Sequence, residues 1–356
     1  MDTEAVSYTH LTLPTIFGYG GVGKALVRLI EEKREELKGE GLKPEVNYVI
    51  EYYGGIYAKE GIELAKLIEF TQSGERDITR YEGGSKEIDV DTVIENGDVD
   101  LAVIMTPTNK ETGEPGLGFI RKLLGAGINV VTSDKGPVLL AYEELKELAK
   151  EKGVQLGIGC TTGGALPTVN GGMMDMAGAK IKSIEGVLNG TTNFILKDME
   201  ERGVSYEEAL KKAQEDGIAE TNPSLDVEGY DTATKLLILT KVHMGITKSI
   251  EEVEIEGITK VTQEDIRKAK EEGKKYRLVG RTEVGEDGEV KIRVSPEKVG
   301  QENIFYSVEG KNKAVRYTSD TLGDLVMIGG ASGTTPAAAS ILRDVINIHR
   351  GYKFVR

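Results

Sequence analysis

An α/β fold in two domains is predicted for this 356-residue chain, on three observations. Short apolar segments alternate with helix-like ones through the first half, the pattern of a parallel sheet with crossover helices. Gly18-Tyr19-Gly20-Gly21-Val22-Gly23 fits G-x-G-x-x-G and opens a helical segment, the phosphate-binding turn of a Rossmann-type dinucleotide domain. Later segments turn strand-rich around a hairpin signal at Asp287-Gly288, which fits a second, α+β domain.

Composition narrows the class. Apolar residues make up 39% and charged residues 29%, the balance of a soluble globular protein. A net charge of −14 argues against a general partner for nucleic acid or anionic membrane, since neither surface favours an acidic protein. One cysteine, Cys160, excludes an intramolecular disulfide and fits a reducing, cytoplasmic compartment. His10, His243 and His349 are far apart, and no Cys/His cluster suggests zinc. No apolar run approaches the ~20 residues of a membrane span.

Residues 1–15, MDTEAVSYTHLTLPT, are too polar for a signal peptide. Pro14 precedes the glycine motif by four residues, where a buried strand is needed and a proline would remove a ladder hydrogen bond. SYTHLTLPT resembles translated sequencing-adapter sequence, so the expectation is a replaced first strand with Ile16-Phe17 as its surviving end. Lys24–Leu37 follows with Leu26, Val27 and Ile30 at helical spacing. Val46–Tyr53 reads as the second strand. Glu51 stands near its end, but Tyr52 takes the place usual for the acid that binds ribose hydroxyls. No Arg or Lys between Pro44 and Ala58 offers itself to a 2′-phosphate, and the residues leave NAD and NADP open.

Asp100–Met105 is a third strand, ending in Thr106-Pro107-Thr108-Asn109. Helix Gly116–Ala126, strand Asn129–Thr132 and the loop Ser133-Asp134-Lys135-Gly136-Pro137 come next. Ligands bind beyond the C-terminal ends of parallel strands, where Thr106 and Lys135 both sit. A lone loop lysine is nevertheless more often solvated surface. Tyr142–Lys152 is a charged helix and Val154–Ile158 a last strand of this domain.

Gly159–Pro167 is a small-residue loop that could line a ligand or cation, or merely cross between domains. In Gly186–Gly203, GVLNGTTNFILKDMEERG, Asn189-Gly190-Thr191-Thr192-Asn193 separates apolar segments. It reads as a strand, a turn with positive φ at Asn and Gly, and a helix start. Ser205-Tyr206-Glu207-Glu208 is a capping box for a helix reaching about Gly217. Asp226–Gly245 holds another helix, with Asp231 and Lys235 at i and i+4. Such pairs are common on solvated helices, but Leu236, Leu237, Ile238 and Leu239 make this one largely buried. A buried lysine needs a partner or a depressed pKa. Thr262–Lys274 is a helix, Tyr276–Val284 and Val290–Val294 a hairpin, and Ala314–Thr318 a further strand of the same sheet. Thr335 is the expected N-cap of a closing helix, with Pro336 in its first turn.

Together these motifs resemble the homoserine dehydrogenase family. The likeness covers nearly all of the chain from about Ile16. It rests on Gly18–Gly23, Thr106–Asn109 with Thr112-Gly113-Glu114-Pro115, Val131–Pro137, Gly186–Leu196, Asp226–Asp231 through Lys235-Leu236, and Gly329–Asp344. It implies a Rossmann-type NAD(P) domain over residues 1–150, completed by a C-terminal helix within 321–356, and a catalytic and dimerisation domain over 151–320, in a homodimer. The implied reaction is the NAD- or NADP-dependent interconversion of L-homoserine and L-aspartate 4-semialdehyde, on the branch toward threonine, methionine and isoleucine.

On the family's pattern Lys235 matches the catalytic acid/base, and Lys135 a second lysine at substrate and cofactor. Glu220 and Asp231 match acids that bind and orient substrate, supported by Asp226. Gly18, Gly20, Gly21, Val22, Gly23, Thr106, Lys135, Gly217 and Gly333 match positions that approach the cofactor. The carbonyls of Thr162, Gly164 and Leu166 match a monovalent-cation site, such as one for sodium, though the glutamate that usually opens this loop is Gly159 here. Asp134 stands where asparagine is frequent. With the chain ending at Arg356, threonine feedback through an appended regulatory domain is not expected.

Two rivals are weighed against this. A non-enzymatic dinucleotide sensor would keep the glycine motif and lose the chemistry, so Lys135, Glu220, Asp231 and Lys235 together favour the enzyme. A dehydrogenase of another amino-acid semialdehyde or hydroxy acid would share the fold but not the combination of Gly186–Leu196 with Asp226–Lys235.

Overall fold

The structure is a computed structural model that describes residues 15–43 and 45–355. The chain folds into two compact units. One comprises the residues up to Ile158 together with Gly333–Arg356, and the other Gly159–Ser332.

The first unit holds strands β1 (Thr15–Phe17), β2 (Tyr48–Glu51), β3 (Gly54–Tyr57), β4 (Gly84–Ser85), β5 (Leu101–Ile104), β6 (Asn129–Thr132) and β7 (Leu156–Gly157). They make one sheet in the order β4-β3-β2-β1-β5-β6-β7. From β2 to β7 all neighbours are parallel, while β3 and β4 turn back antiparallel at one edge. Leu101-Ala102-Val103-Ile104 is buried throughout, as a parallel strand covered on both sides requires. Helix Gly21–Glu32 presents Ala25, Leu26, Leu29 and Ile30 to the interior. It packs against the closing helix Thr334–His349, whose buried stripe is Ala338, Ile341, Leu342 and Val345.

β1 is central but short. Thr15 is fully buried between β2 and β5, and its hydroxyl has no hydrogen-bond partner. An orphaned buried hydroxyl of this kind costs about 1–3 kcal/mol. The expected strand replacement otherwise falls on residues 1–14, outside the described residues.

Several local expectations are corrected here. The first helix stops at Glu32, and a separate one, Arg34–Gly39, follows. The second strand ends at Glu51; Tyr52 and Tyr53 form the exposed tip of a hairpin into β3. Lys135 is not in a loop. It is the first residue of helix Lys135–Lys152, capped by the Asp134 side chain and bent at Ala141. Pro137 fits the first turn, where its missing N–H has no intrahelical acceptor to lose.

The second unit holds β8 (Ile181–Val187), β9 (Glu254–Ile255), β10 (Lys275–Val284), β11 (Val290–Val299), β12 (Lys313–Ser319) and β13 (Asp324–Gly329). Their order is β13-β12-β8-β10-β11-β9, antiparallel except for the β11–β9 pair. Because β13 pairs with β12, residues 324–329 belong to this sheet, and the segment that returns to the first unit begins at Gly333 rather than near residue 321. Gly333, with φ 122°, is the N-cap of the closing helix; Thr335 and Pro336 lie within its first turn.

Helix Tyr230–Met244 covers one face of this sheet. The hydroxyls of Thr240 and Thr282 meet at 2.7 Å, and a Cβ at Gly280 would stand 3.2 Å from Thr232. On the opposite face Phe305 and Val308 pack over Val187, Val279 and Ala314. Beyond that patch the carboxylate of Glu185, itself 3% exposed, pairs with both Arg281 and Arg316. Arg281 also holds Glu297 at 2.8 Å. The pairing register puts Val326 and Ile328 on this same face, where they are 38% and 44% exposed.

Candidate active site

In the first unit the glycines act by geometry. Gly18 has φ 94°, and a Cβ there would lie 2.6 Å from the Met105 carbonyl oxygen. A Cβ on Gly23 would lie 2.3 Å from the Gly18 oxygen, so the turn closes only without side chains. Gly20 differs: nothing stands within 4 Å of its missing Cβ, and the backbone is open to a ligand at the mouth of helix Gly21–Glu32. Val22 is half-buried in that first turn. The first amides of a helix lack intrahelical partners and carry positive charge, and no acid occupies this first turn. A dinucleotide pyrophosphate fits this cradle. Glu51 accepts the Tyr19 N–H at its rim. The acid that the sequence placed one residue out of register therefore does reach the glycine turn.

At the ends of β5 and β6, Thr106 donates to the Asp134 carboxylate at 2.8 Å, and the same carboxylate accepts the Gly136 N–H at 3.0 Å. Burial pushes Asp134 above the usual carboxylate range, against the lowering effect of these bonds. A Cβ on Gly116 would stand within 2.5 Å of Asp134 and 2.7 Å of Thr106. This interlock fixes where helix Lys135–Lys152 starts, and hence where Lys135 stands.

The second unit contains a tighter polar centre. Strand β8 ends at Val187, and Asn189 caps helix Gly190–Arg202 by accepting the Thr192 N–H at 2.9 Å. Its φ is −122°, so the positive-φ turn expected here is absent, and the Asn is retained for its side chain instead. The Asn189 amide nitrogen donates to Asp226 at 2.6 Å and to Asp231 at 2.9 Å. Asp231 pairs with the Lys235 ammonium at 2.5 Å, and Lys235 donates to the Leu188 carbonyl at 2.9 Å. Gly229, with φ 92°, separates the short helix Ser224–Val227 from Tyr230–Met244. A Cβ on Gly229 would meet Ile255 at 3.1 Å, so this break lets Asp226 and Asp231 reach the same amide. The side chains of Lys235 and Asp231 are 15% and 10% exposed, so the pair is desolvated yet reachable.

Not every expected residue joins this centre. Glu220 is exposed, and only its backbone carbonyl is engaged, by Gln214. Gly217, with φ 64° and open space around it, ends the preceding helical segment. Thr162 lies in the buried turn Cys160–Gly163, and its hydroxyl meets that of Thr168 at 2.6 Å. The Leu166 carbonyl already accepts the Thr168 N–H at 2.8 Å. A Cβ on Gly164 would stand 3.9 Å from the Lys313 ammonium. Among the described residues no group of three or more His, Cys, Asp or Glu could hold a metal ion.

Sequence reasoning missed Asn189 as the hub of the acids, Glu51 as the acid of the glycine turn, and Lys313 altogether. Asn189 carried a signal, since Asn three residues before Thr192 and directly after a strand is a cap pattern. Lys313 carried none.

Comparison with known proteins agrees with this geometry. A family model described as homoserine dehydrogenase matches residues 167–346. A homoserine dehydrogenase from Methanocaldococcus jannaschii is 35% identical over 95% of this chain and 98% of its own length. An NAD(+)-dependent homoserine dehydrogenase from Pseudomonas canavaninivorans is 32% identical over 94% of this chain and 95% of its own. A solved structure of a hyperthermophilic archaeal homoserine dehydrogenase mutant in complex with NADPH superposes with a TM-score of 0.81 at 28% identity, covering 96% of this chain and 98% of that one.

Proposed function

The chain belongs to the homoserine dehydrogenase family, and from that premise we propose that the Asn189–Asp226–Asp231–Lys235 network is its acid–base centre. The protein is an NAD(P)-dependent oxidoreductase that interconverts L-homoserine and L-aspartate 4-semialdehyde. A dinucleotide held at the Gly18–Gly23 turn would supply the acceptor for the hydride that leaves the alcohol carbon with its electron pair.

The chain's own residues supply the rest. In the oxidising direction the amine form of Lys235 takes the hydroxyl proton; in the reducing direction its ammonium returns it. Asp231 and the Leu188 carbonyl aim the Lys235 nitrogen. Asp226 and Asp231, kept apart by the shared Asn189 amide, give the site the negative charge that suits the substrate ammonium. Glu220 is the third acid of this reading and Lys135 the second lysine. Gly18, Gly20, Gly21, Val22, Gly23, Thr106, Gly217 and Gly333 are assigned to the cofactor. Glu51 is placed to take ribose hydroxyls, and its charge disfavours a 2′-phosphate.

A sodium ion on the carbonyls of Thr162, Gly164 and Leu166 is a poor fit. Leu166 is already engaged, the loop opens with Gly159, and the Lys313 ammonium stands beside Gly164.

The observation that carries this reading is the lysine–carboxylate pair held by Asn189. Its test is steady-state oxidation of L-homoserine with NAD⁺ and with NADP⁺. Turnover is expected with L-homoserine, with a higher kcat/KM for NAD⁺. Absence of turnover with both cofactors would defeat it.

A homodimer completes the reading. The exposed Val326 and Ile328 lie on the sheet face opposite helix Tyr230–Met244, a surface a second copy would bury. Sedimentation velocity at micromolar concentration should give a dimer of about twice the 38.6 kDa chain mass; a monomer would contradict it. No described helix is long and apolar enough to cross a membrane. With a single cysteine and an acidic surface, a cytoplasmic location without nucleic-acid partners is the reading that fits.

A further inference from the structure

We propose that Lys313 anchors the α-carboxylate of the amino-acid substrate, an assignment that rests on the homoserine reading above. Lys313 opens β12 and is 6% exposed. Its ammonium donates to the Ser332 hydroxyl at 3.2 Å, and Asp231 acts on it through charge alone, without a hydrogen bond. A buried ammonium whose partner is a neutral hydroxyl is under-compensated, and an anion supplied from outside relieves that cost. Burial, followed by the charge on Lys235, pushes Lys313 down to about 8, with Asp231 and Cys160 pulling the other way.

A second feature points to the same ligand. Ser332 Oγ lies 3.2 Å from where a Cβ of Gly190 would stand, and Gly190 is the first residue of the 13-residue helix Gly190–Arg202. The opening N–H groups of a helix have no intrahelical acceptor and form the positive end of its dipole. Asn189 takes the one from Thr192, which leaves those of Gly190 and Thr191 for a ligand. The buried ammonium, the Ser332 hydroxyl and this helix end therefore gather together, within electrostatic reach of Asp231 and Lys235.

L-Homoserine brings three polar groups. The acids suit its ammonium and Lys235 its hydroxyl, but neither suits its carboxylate. Lys313 does. A charge-assisted bond of this kind is the strong class of hydrogen bond, and its loss should be read mainly in KM.

The test compares L-homoserine with 3-amino-1-propanol, the same molecule without its carboxylate, in wild type, Lys313→Met and Lys313→Arg. Lys313→Met should lower kcat/KM for L-homoserine by roughly 10- to 100-fold, mostly through KM, and leave 3-amino-1-propanol nearly unaffected. Lys313→Arg, which keeps the charge, should recover part of the loss. Where the amino alcohol turns over too slowly to follow, its competitive inhibition constant serves as the reference affinity. NADH affinity, followed by its fluorescence, should stay unchanged, and confirms that the variants are folded. An equal loss on both compounds, no loss on either, or a selective loss of NADH affinity would overturn the assignment. A wild type inactive on L-homoserine would instead overturn the reading on which it rests.

Discussion

Replacing Lys235 with alanine lowers kcat for L-homoserine oxidation by about 10²- to 10⁴-fold, the range a positioned general acid–base supplies. Two observations set that expectation. The Lys235 nitrogen is fixed by Asp231 at 2.5 Å and by the Leu188 carbonyl at 2.9 Å, so it is held in one position for proton transfer. Its aliphatic stem leaves a helix whose neighbours Leu236, Leu237, Ile238 and Leu239 are buried, so water does not readily substitute. NADH affinity should change little, because the glycine turn Gly18–Gly23 is built from the first unit's own backbone. Asp231→Asn should cost less, since the amide retains a contact with Lys235 and loses only the charge. Stopped-flow and steady-state rates for both variants, with NADH titration, check this ordering. A Lys235→Ala enzyme within a few-fold of wild type would remove the lysine from proton transfer.

Glu185→Ala should destabilise the fold by about 3 kcal/mol, toward the lower end of what breaking a buried ion pair costs. Glu185 is buried at the middle of the six-stranded sheet and neutralises both Arg281 and Arg316. Removing it leaves two cations without their shared carboxylate. Both guanidinium side chains keep partial access to water, and Arg281 keeps Glu297, which limits the cost. The triple replacement Glu185→Met, Arg281→Met, Arg316→Leu should recover most of the loss, because an apolar trio needs no counter-charge. Urea unfolding at fixed protein concentration measures both. A single-variant loss below about 1 kcal/mol would show that solvent, rather than the ion pairs, compensates these charges.

What the sequence made legible follows from period and spacing. Asp231 and Lys235 stand one turn apart, so any helix brings them together, and the apolar run after Lys235 announces burial. Strand β6 was readable to the residue because Asn129-Val130-Val131-Thr132 sits between a glycine and a cap. The antiparallel strands β3 and β4 were not. Gly54-Gly55 carries almost no strand signal, and those glycines serve close packing: a Cβ on Gly54 would lie 2.4 Å from the Ser85 oxygen. Lys135 reads as a loop residue because Ser133-Asp134-Lys135-Gly136-Pro137 follows a strand end, whereas Asp134 is a cap and a proline in a first turn is tolerated. Asn189-Gly190 looked like a positive-φ turn. It is a cap followed by a close approach, a Cβ on Gly190 meeting the Lys311 oxygen at 2.9 Å.

Lys313 was invisible for a different reason. A lysine at the start of a strand is ordinarily solvated, and what surrounds the ammonium of this one comes from residues distant in the chain: Gly164, Asp231, Lys235 and Ser332. Long-range burial has no local signature. The same holds for the fan of bonds from Asn189 to Asp226 and Asp231, which depends on the break at Gly229.

The most direct measurement is chemical rescue of Lys235→Ala. Truncating the side chain leaves a space that a small primary amine fills, and the free base then takes the substrate's proton in place of the lysine. With methylamine, kcat for L-homoserine oxidation should rise in proportion to the concentration of unprotonated amine, while NADH affinity stays constant. Turnover of the alanine variant that is close to wild type and indifferent to added amine would contradict a proton-transfer centre at Lys235.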